Sequence, residues 1–193
     1  MSQLLEDAVR VVMEIIYHAD INPPWAELAK LSLVCRTWSH HAQALLYASV
    51  RIHNLRQLHS FLAATDPNTT RGRHLGCAVR ILNVTIYPVA YVTRVVSTRL
   101  PELMARCPKL YELRIVLEEM EGWSPETLEE LRKKTPPIMA LRLRDGMERG
   151  NAARQLLHVW PSLRHLAIRS SSIDRFEPDS EYLLFDTALI SPV

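Results

Sequence analysis

Apolar residues fall at three- and four-residue steps through the first part of the chain and in shorter alternating triplets further on. Leu5, Ala8, Val9, Val12, Ile15, Ile16 and Ala19 make one stripe and predict a first helix. Asn22-Pro23-Pro24 should stop it, because proline lacks an N–H and restricts the residue before it. A second helix is expected from about Trp25 to Val34, with Leu28, Leu31 and Val34 on one side. A third should run from about Thr37 to Ala48, turning Trp38, Ala42, Leu45 and Leu46 inward. Short joints between them predict a three-helix head over residues 1–49.

The pattern changes near Ser49. Ser49-Val50-Arg51-Ile52 reads as a strand, and Leu55, Leu58 and Leu62 form a helical stripe capped by Asn54. Asp66 to Arg73 reads as a loop. The chain then repeats an aliphatic-x-x-aliphatic-x-aliphatic frame: Val79 to Val84, Leu110 to Ile115, Ile138 to Leu143 and Leu163 to Ile168. Their first residues lie 31, 28 and 25 positions apart, and Val50 precedes Val79 by 29. Between the frames lie three predicted helices. One spans Leu100 to Cys107 with Pro101 at its first position, one opens at Ser124-Pro125-Glu126 and buries Leu128 and Leu131, and one starts near Asn151 and carries Leu156 and Leu157. Each ends shortly before Pro108, Pro136-Pro137 or Pro161. A strand–helix unit cannot bury its own apolar face, so stacking is expected over residues 50–173, with parallel strands on the concave side and helices on the convex side. Alternate strand residues should then point outward: Arg80 and Asn83, Glu112 and Arg114, Arg142 and Arg144, Arg164 and Arg169. Residues 174–193 carry Asp174, Glu177, Asp179, Glu181 and Asp186 against Arg175, an acidic tail or cap.

Composition narrows the function. Of 193 residues, 48% are hydrophobic and 23% charged, which are globular values. Lys and Arg total 23 against 21 Asp and Glu, so a net charge of +2 argues for neither nucleic acid nor a membrane as partner. The opening Met1 to Asp7 is acidic where a secretory signal is basic, and no apolar run reaches the ~18 residues of a spanning helix. A reduced, intracellular chain is expected, in cytoplasm or nucleus. Cys35, Cys77 and Cys107 are widely spaced and form no C-x-x-C pair, which disfavours a disulfide framework or a zinc knuckle. The histidines show no ligand spacing, and neither a G-x-G-x-x-G nor a Walker loop occurs, so no metal or other cofactor is expected. Cys35 with His40 and His41 is the nearest approach to a nucleophile and base, but no oxyanion motif accompanies it. Glu118, Glu119 and Glu121 read as a solvated acidic loop, and no catalytic residue is assigned.

Leu31-Ser32-Leu33-Val34-Cys35-Arg36-Thr37-Trp38, with Ala42-Gln43 and Leu45-Leu46-Tyr47 behind it, resembles an F-box. The repeated frames resemble leucine-rich repeats. Together, over about residues 7–173, the chain is similar to F-box/leucine-rich-repeat proteins of the type abundant in mushroom-forming fungi. The resemblance implies a non-enzymatic substrate-recognition subunit of an SCF (cullin–RING) ubiquitin ligase. Its head would dock on the Skp-type adaptor, and through it on cullin, while its repeats hold a protein substrate. Mapped onto this sequence, adaptor contacts would come from Val12, Ile15, Ile16, Leu31, Val34, Cys35 and Trp38. Several of these also suit a three-helix core. Substrate contacts would come from Arg114, Arg142, Arg144 and Arg164, which read equally as a solvated face with acidic neighbours. The family opens its box with Leu-Pro-x-Glu, whereas this chain has Asp7-Ala8-Val9-Arg10. That departure favours a second reading, an interaction scaffold without adaptor binding.

Overall fold

Each aliphatic frame delivers its last two residues to one face of a strand, and the strands stack side by side. The computed structural model describes residues 2–18, 24–86, 90–117, 122–145, 151–170 and 183–186. The chain runs through α1 (Ser2–His18), α2 (Trp25–Leu31), α3 (Arg36–Ala48), β1 (Ser49–Ile52), α4 (Leu55–Ala64), α5 (Thr70–Ala78) and β2 (Ile81–Ile86). It continues through α6 (Ala90–Ala105), β3 (Glu112–Leu117), α7 (Pro125–Lys134), β4 (Ala140–Asp145), α8 (Asn151–Leu157), β5 (His165–Ser170) and β6 (Leu183–Asp186). This is a mixed α/β fold on one sheet of order β1-β2-β3-β4-β5-β6. The first five strands are parallel and β6 is antiparallel to β5.

Register explains the frame. Leu82, Leu113, Leu141 and Leu166 pair in one row, and Val84, Ile115, Leu143 and Ile168 in another. All of these pack in one core with Leu100, Leu103 and Met104 of α6, Leu131 of α7 and Leu156 of α8. The leading frame residues Val79, Leu110 and Ile138 are buried just before their strands, so each strand begins two residues later than its frame. Val50 is paired with Leu82, 32 positions on, rather than aligned with Val79: β1 enters the sheet at the second position of the frame.

Local signals set the element ends. The Asn54 side chain accepts from Gln57 N at 2.9 Å, and the Ser124 hydroxyl accepts from Thr127 N at 3.2 Å with Pro125 following. Both satisfy backbone donors that a helix start leaves unpaired. Polar links tie successive units: Trp160 Nε1 donates to Thr135 Oγ1 at 3.0 Å, Trp123 N to Gln155 Oε1 at 2.8 Å, and the Arg106 guanidinium to the Leu62 carbonyl.

Three expectations are corrected here. The expected loop from Asp66 to Arg73 ends at Thr69, whose hydroxyl caps α5 by accepting from Gly72 N at 2.9 Å. Gly72, inside that expected loop, and Gly76 both serve close approach: a Cβ at Gly72 would strike the Asp66 backbone, and one at Gly76 the Arg106 carbonyl. The helix expected from Leu100 starts at Ala90, so Pro101 lies inside it rather than at its first position. α2 ends at Leu31, and Ser32 to Val34 form a turn instead of a last helical stretch. The expected stop at Asn22-Pro23, the acidic loop at Glu118 to Glu121 and most of the acidic segment 174–193 lie outside the described residues.

The three head helices hold a core of their own. Val9 and Met13 of α1, Leu28 of α2 and Ala42 of α3 are buried, with Ile16, Tyr17, Leu31, Trp38, Leu45 and Leu46 packed against them. Met13 is fully buried, although the sequence stripe ran past it. α3 passes into β1 at Ala48–Ser49 with no residue between.

Candidate functional site

α1 has two apolar faces. Val9, Met13 and Ile16 recur at helical spacing and meet the head core. Val11, Val12 and Ile15 turn the other way, Ile15 with 64% of its surface exposed. A second apolar display stands on the α2–α3 turn. Backbone bonds from Ser32 N to Leu28 O (2.9 Å), Leu33 N to Lys30 O (3.0 Å) and Val34 N to Leu31 O (3.2 Å) hold that turn. It presents Leu33 at 85% and Val34 at 61% exposure, and Cys35 beside them is exposed at the N-cap of α3. Of the residues singled out in the head, Val12, Ile15, Val34 and Cys35 are therefore exposed, while Ile16, Leu31 and Trp38 are half-buried against the core. Val11 and Leu33 were missed. Leu33 lies within the F-box-like motif, and its position in a turn rather than a helix is what exposes it.

The sheet face opposite the helices carries the second set. Arg51, Asn83, Arg114, Arg142 and Ala167 share a row, as do Thr85, Val116, Arg144 and Arg169. Glu112, one position earlier on β3, has an 8% exposed side chain. Its Oε1 takes Arg114 Nε at 2.6 Å and Arg142 Nε at 2.5 Å. The outward expectation for Glu112 is thus corrected: it is on the open face but lies beneath two guanidiniums. Arg114 and Arg142 are held by this shared carboxylate, and Arg144 is exposed two residues further along β4. Arg164 is separate. It precedes β5 in the strand-entry row, where Arg164 N donates to Met139 O at 2.9 Å and Tyr111 N to Arg80 O at 2.8 Å. Beside Arg142, the small side chains of Ala140 and Ala167 leave a depression of about 180 Å³, walled by Tyr111, Glu112 and His165.

Histidines gather where the head meets the first strand–helix unit. The His40 ring stacks on His74 of α5 with centroids 3.9 Å apart, and His41 meets His40 edge-on at 5.6 Å. Burial, then the charges of His40 and His41, push the His74 pKa down; a backbone contact with His40 opposes them. Glu6 Oε1 lies 3.8 Å from His41 Nε2. Cys107 is fully buried and its thiol is pushed up to about 12 by desolvation, which keeps it protonated. Among the described residues no group of three or more His, Cys, Asp or Glu is placed to hold a metal, and no helix is long and apolar enough to cross a membrane. Compared with protein-family models, curated proteins and solved structures, the chain matches none.

Proposed function

We propose that this protein is a substrate-recognition adaptor of an SCF (cullin–RING) ubiquitin ligase, its F-box-like head docking on the Skp-type adaptor and its leucine-rich-repeat-like units holding a protein substrate. The observation that carries the reading is the doubled apolar surface of the head. A small bundle that has already buried Val9, Met13, Leu28 and Ala42 gains nothing by exposing Val11, Val12, Ile15, Leu33 and Val34. Covering a side chain of this kind contributes roughly 1.5–3 kcal/mol, and apolar helix contacts of this sort are a common recognition mode. The chain itself supplies no chemistry in this reading; ligation belongs to other subunits, in cytoplasm or nucleus. Capture of purified Skp-type adaptor by the full chain tests it. The unchanged protein should retain adaptor at micromolar concentration, and Ile15→Asp or Leu33→Asp should each release it. An unchanged protein that retains none rejects the reading.

A second reading has an observation of its own. Where the family places Leu-Pro, this chain has an exposed Asp7, paired with Arg10 at 3.5 Å on the surface of α1. A charged pair is costly to desolvate in an interface. This favours an interaction scaffold in which the head only covers the first unit. In that case the capture experiment returns no adaptor while partners of the sheet face persist.

A further inference from the structure

We propose that the outer edge of β1 takes an extended segment of another protein, added to the sheet as a further strand. One large apolar side chain of that segment sits in the cavity beside the edge, with acidic residues flanking it. The site shares no residue with those assigned to adaptor binding or to substrate holding, so it stands apart from the adaptor reading.

The backbone of the edge is the first ground. β1 is the terminal strand of the sheet, and among the described residues it pairs with β2 alone. Ala48 O, where the strand begins, accepts from Arg80 N at 2.9 Å on the β2 side. Backbone groups alternate sides along a strand, so those of Val50 and Ile52 follow Ala48 toward β2 and those of Ser49 and Arg51 turn outward. The next outward donor, His53 N, is taken by Gln57 Oε1 at 2.7 Å, which closes the edge just past Ile52. An N–H and a C=O from each of Ser49 and Arg51 are left facing outward, the pattern that an added peptide strand completes.

The cavity is the second ground. A space of about 560 Å³ is bounded by all four residues of β1, the end of α3, Asn54 and α4, and by no residue of β2, so it lies beyond the outer edge. That volume falls within the roughly 300–1,000 Å³ range of ligand pockets. Its apolar wall is Leu46, which packs on the head core, and Tyr47, Val50, Ile52 and Phe61, which belong to the sheet core. The cavity therefore opens where the two cores stop short of each other. The Tyr47 and Phe61 rings lie 6.4 Å apart and 27° from parallel, a surface suited to an aromatic or large aliphatic side chain. Val50 and Ile52 face the helices, so alternate side chains of an added strand would enter this space, and their neighbours would stand on the open face beside Arg51.

Charge sets what flanks the apolar residue. Arg51 and Arg56 border the cavity and are exposed, and no Asp or Glu is among its lining residues. A carboxylate next to the buried side chain can take a guanidinium in a charge-assisted bond. A second copy of this chain, pairing edge to edge, would instead set the same arginines against one another, which costs stability. The edge thus suits an acidic partner rather than itself.

The test is fluorescence anisotropy of the full-length protein with a labelled ten-residue Thr/Ser peptide whose central phenylalanine has glutamate on either side. Altered peptides carry serine in place of the phenylalanine, lysine in place of both glutamates, or N-methyl groups at alternate residues, which remove the backbone donors of one edge or the other. The unaltered peptide should bind at least tenfold tighter than the serine and lysine peptides and than at least one N-methylated form. Arg51→Glu with Arg56→Glu, both at exposed sites, should weaken binding at least tenfold with circular dichroism unchanged. Ser60→Trp, which fills the cavity from an exposed position of α4, should weaken it as much, and Lys109→Glu, outside the site, should have no effect. Failure of every peptide to bind, equal binding of the phenylalanine and serine peptides, full affinity of both N-methylated forms, or full affinity in the double arginine variant would each overturn the proposal. So would a dimer, seen in sedimentation, that excludes the peptide and is broken by Ser60→Trp, because the edge would then belong to a second copy. Adaptor capture in the same preparations keeps the two ideas separate: either surface can fail while the other holds.

Discussion

The helical head leaves Val11, Val12, Ile15, Leu33 and Val34 exposed, while in the described part of the sheet region Tyr111 is the one large hydrophobic left in water. The difference follows from how each region is built. A strand–helix unit borrows its neighbour to cover its apolar face, so the frame residues of β2, β3 and β4 all find partners in one continuous interior. The three head helices meet the sheet region through α3 and otherwise close on a small cluster of their own. Their surplus apolar side chains stay outside, where another protein can cover them. The open face of the sheet displays a different chemistry, with Arg114 and Arg142 lying over the sunken Glu112. One molecule therefore presents an apolar surface on its head and a polar face on its sheet.

Substitutions break that contrast most sharply in the shared interior. Leu113→Ala or Leu141→Ala, both at 0% exposure, should cost about 2–5 kcal/mol in urea unfolding, because a cavity opens among packed frame residues. If the cost stays under about 1 kcal/mol, the frames do not form a tight core. Glu112→Ala comes next. It removes the acceptor under Arg114 and Arg142 and leaves two like charges opposed; since both guanidiniums are partly solvated, a loss of about 1–2 kcal/mol is expected, larger at low salt. Ser124→Ala should cost about 1 kcal/mol through the lost cap of α7, with Ser124→Gly milder.

A smaller effect depends on pH and is confined to the junction of head and sheet. His74 on α5 faces His40 and His41 of α3, and His41 faces Glu6 of α1. Because folding lowers the His74 pKa from 6.5, the unfolded chain binds the extra proton first. The stability this group contributes is fully present above 6.5 and is lost as pH falls through its lower folded value. Melting temperature should therefore drop between pH 7.5 and 5, and His74→Gln should flatten the drop; a parallel pH profile in that variant would remove His74 from the account. Smallest of all, Leu33→Ser should shift stability by no more than about 0.5 kcal/mol, since its side chain leaves water nowhere in the free protein. The same change should abolish adaptor capture, which separates display from packing.

Much of the sheet was legible because its signals are local and repeated. Aliphatic triplets at spacings of 31, 28 and 25 fixed which residues pair, and Ser124-Pro125 fixed where α7 starts. What escaped was set by tertiary approach. Gly72 falls within the expected loop, yet it lies in α5 with the Asp66 backbone pressed against it. Pro101 marked a helix start in the sequence, yet α6 runs through it and packs Leu100, Leu103 and Met104 in the core. In the head, a single apolar stripe in α1 concealed two faces, and only the position of Met13 shows which one is inside. The arginines were legible as outward, but not the carboxylate beneath them, because alternation along a strand says which side a residue takes and not how deep it sits.

The direct passage of α3 into β1 at Ala48–Ser49 has a mechanical consequence. With no flexible tether between them, the exposed apolar residues of the head and the open face of the sheet are held at a separation dictated by the fold, and α3 stacks on α5 through His40 and His74 to keep it so. A tethered pair of modules would let its cargo swing through many positions. On the adaptor reading a substrate would be offered at one bearing, so inserting a few glycines at that junction should leave each surface intact and still spoil any process that depends on their alignment.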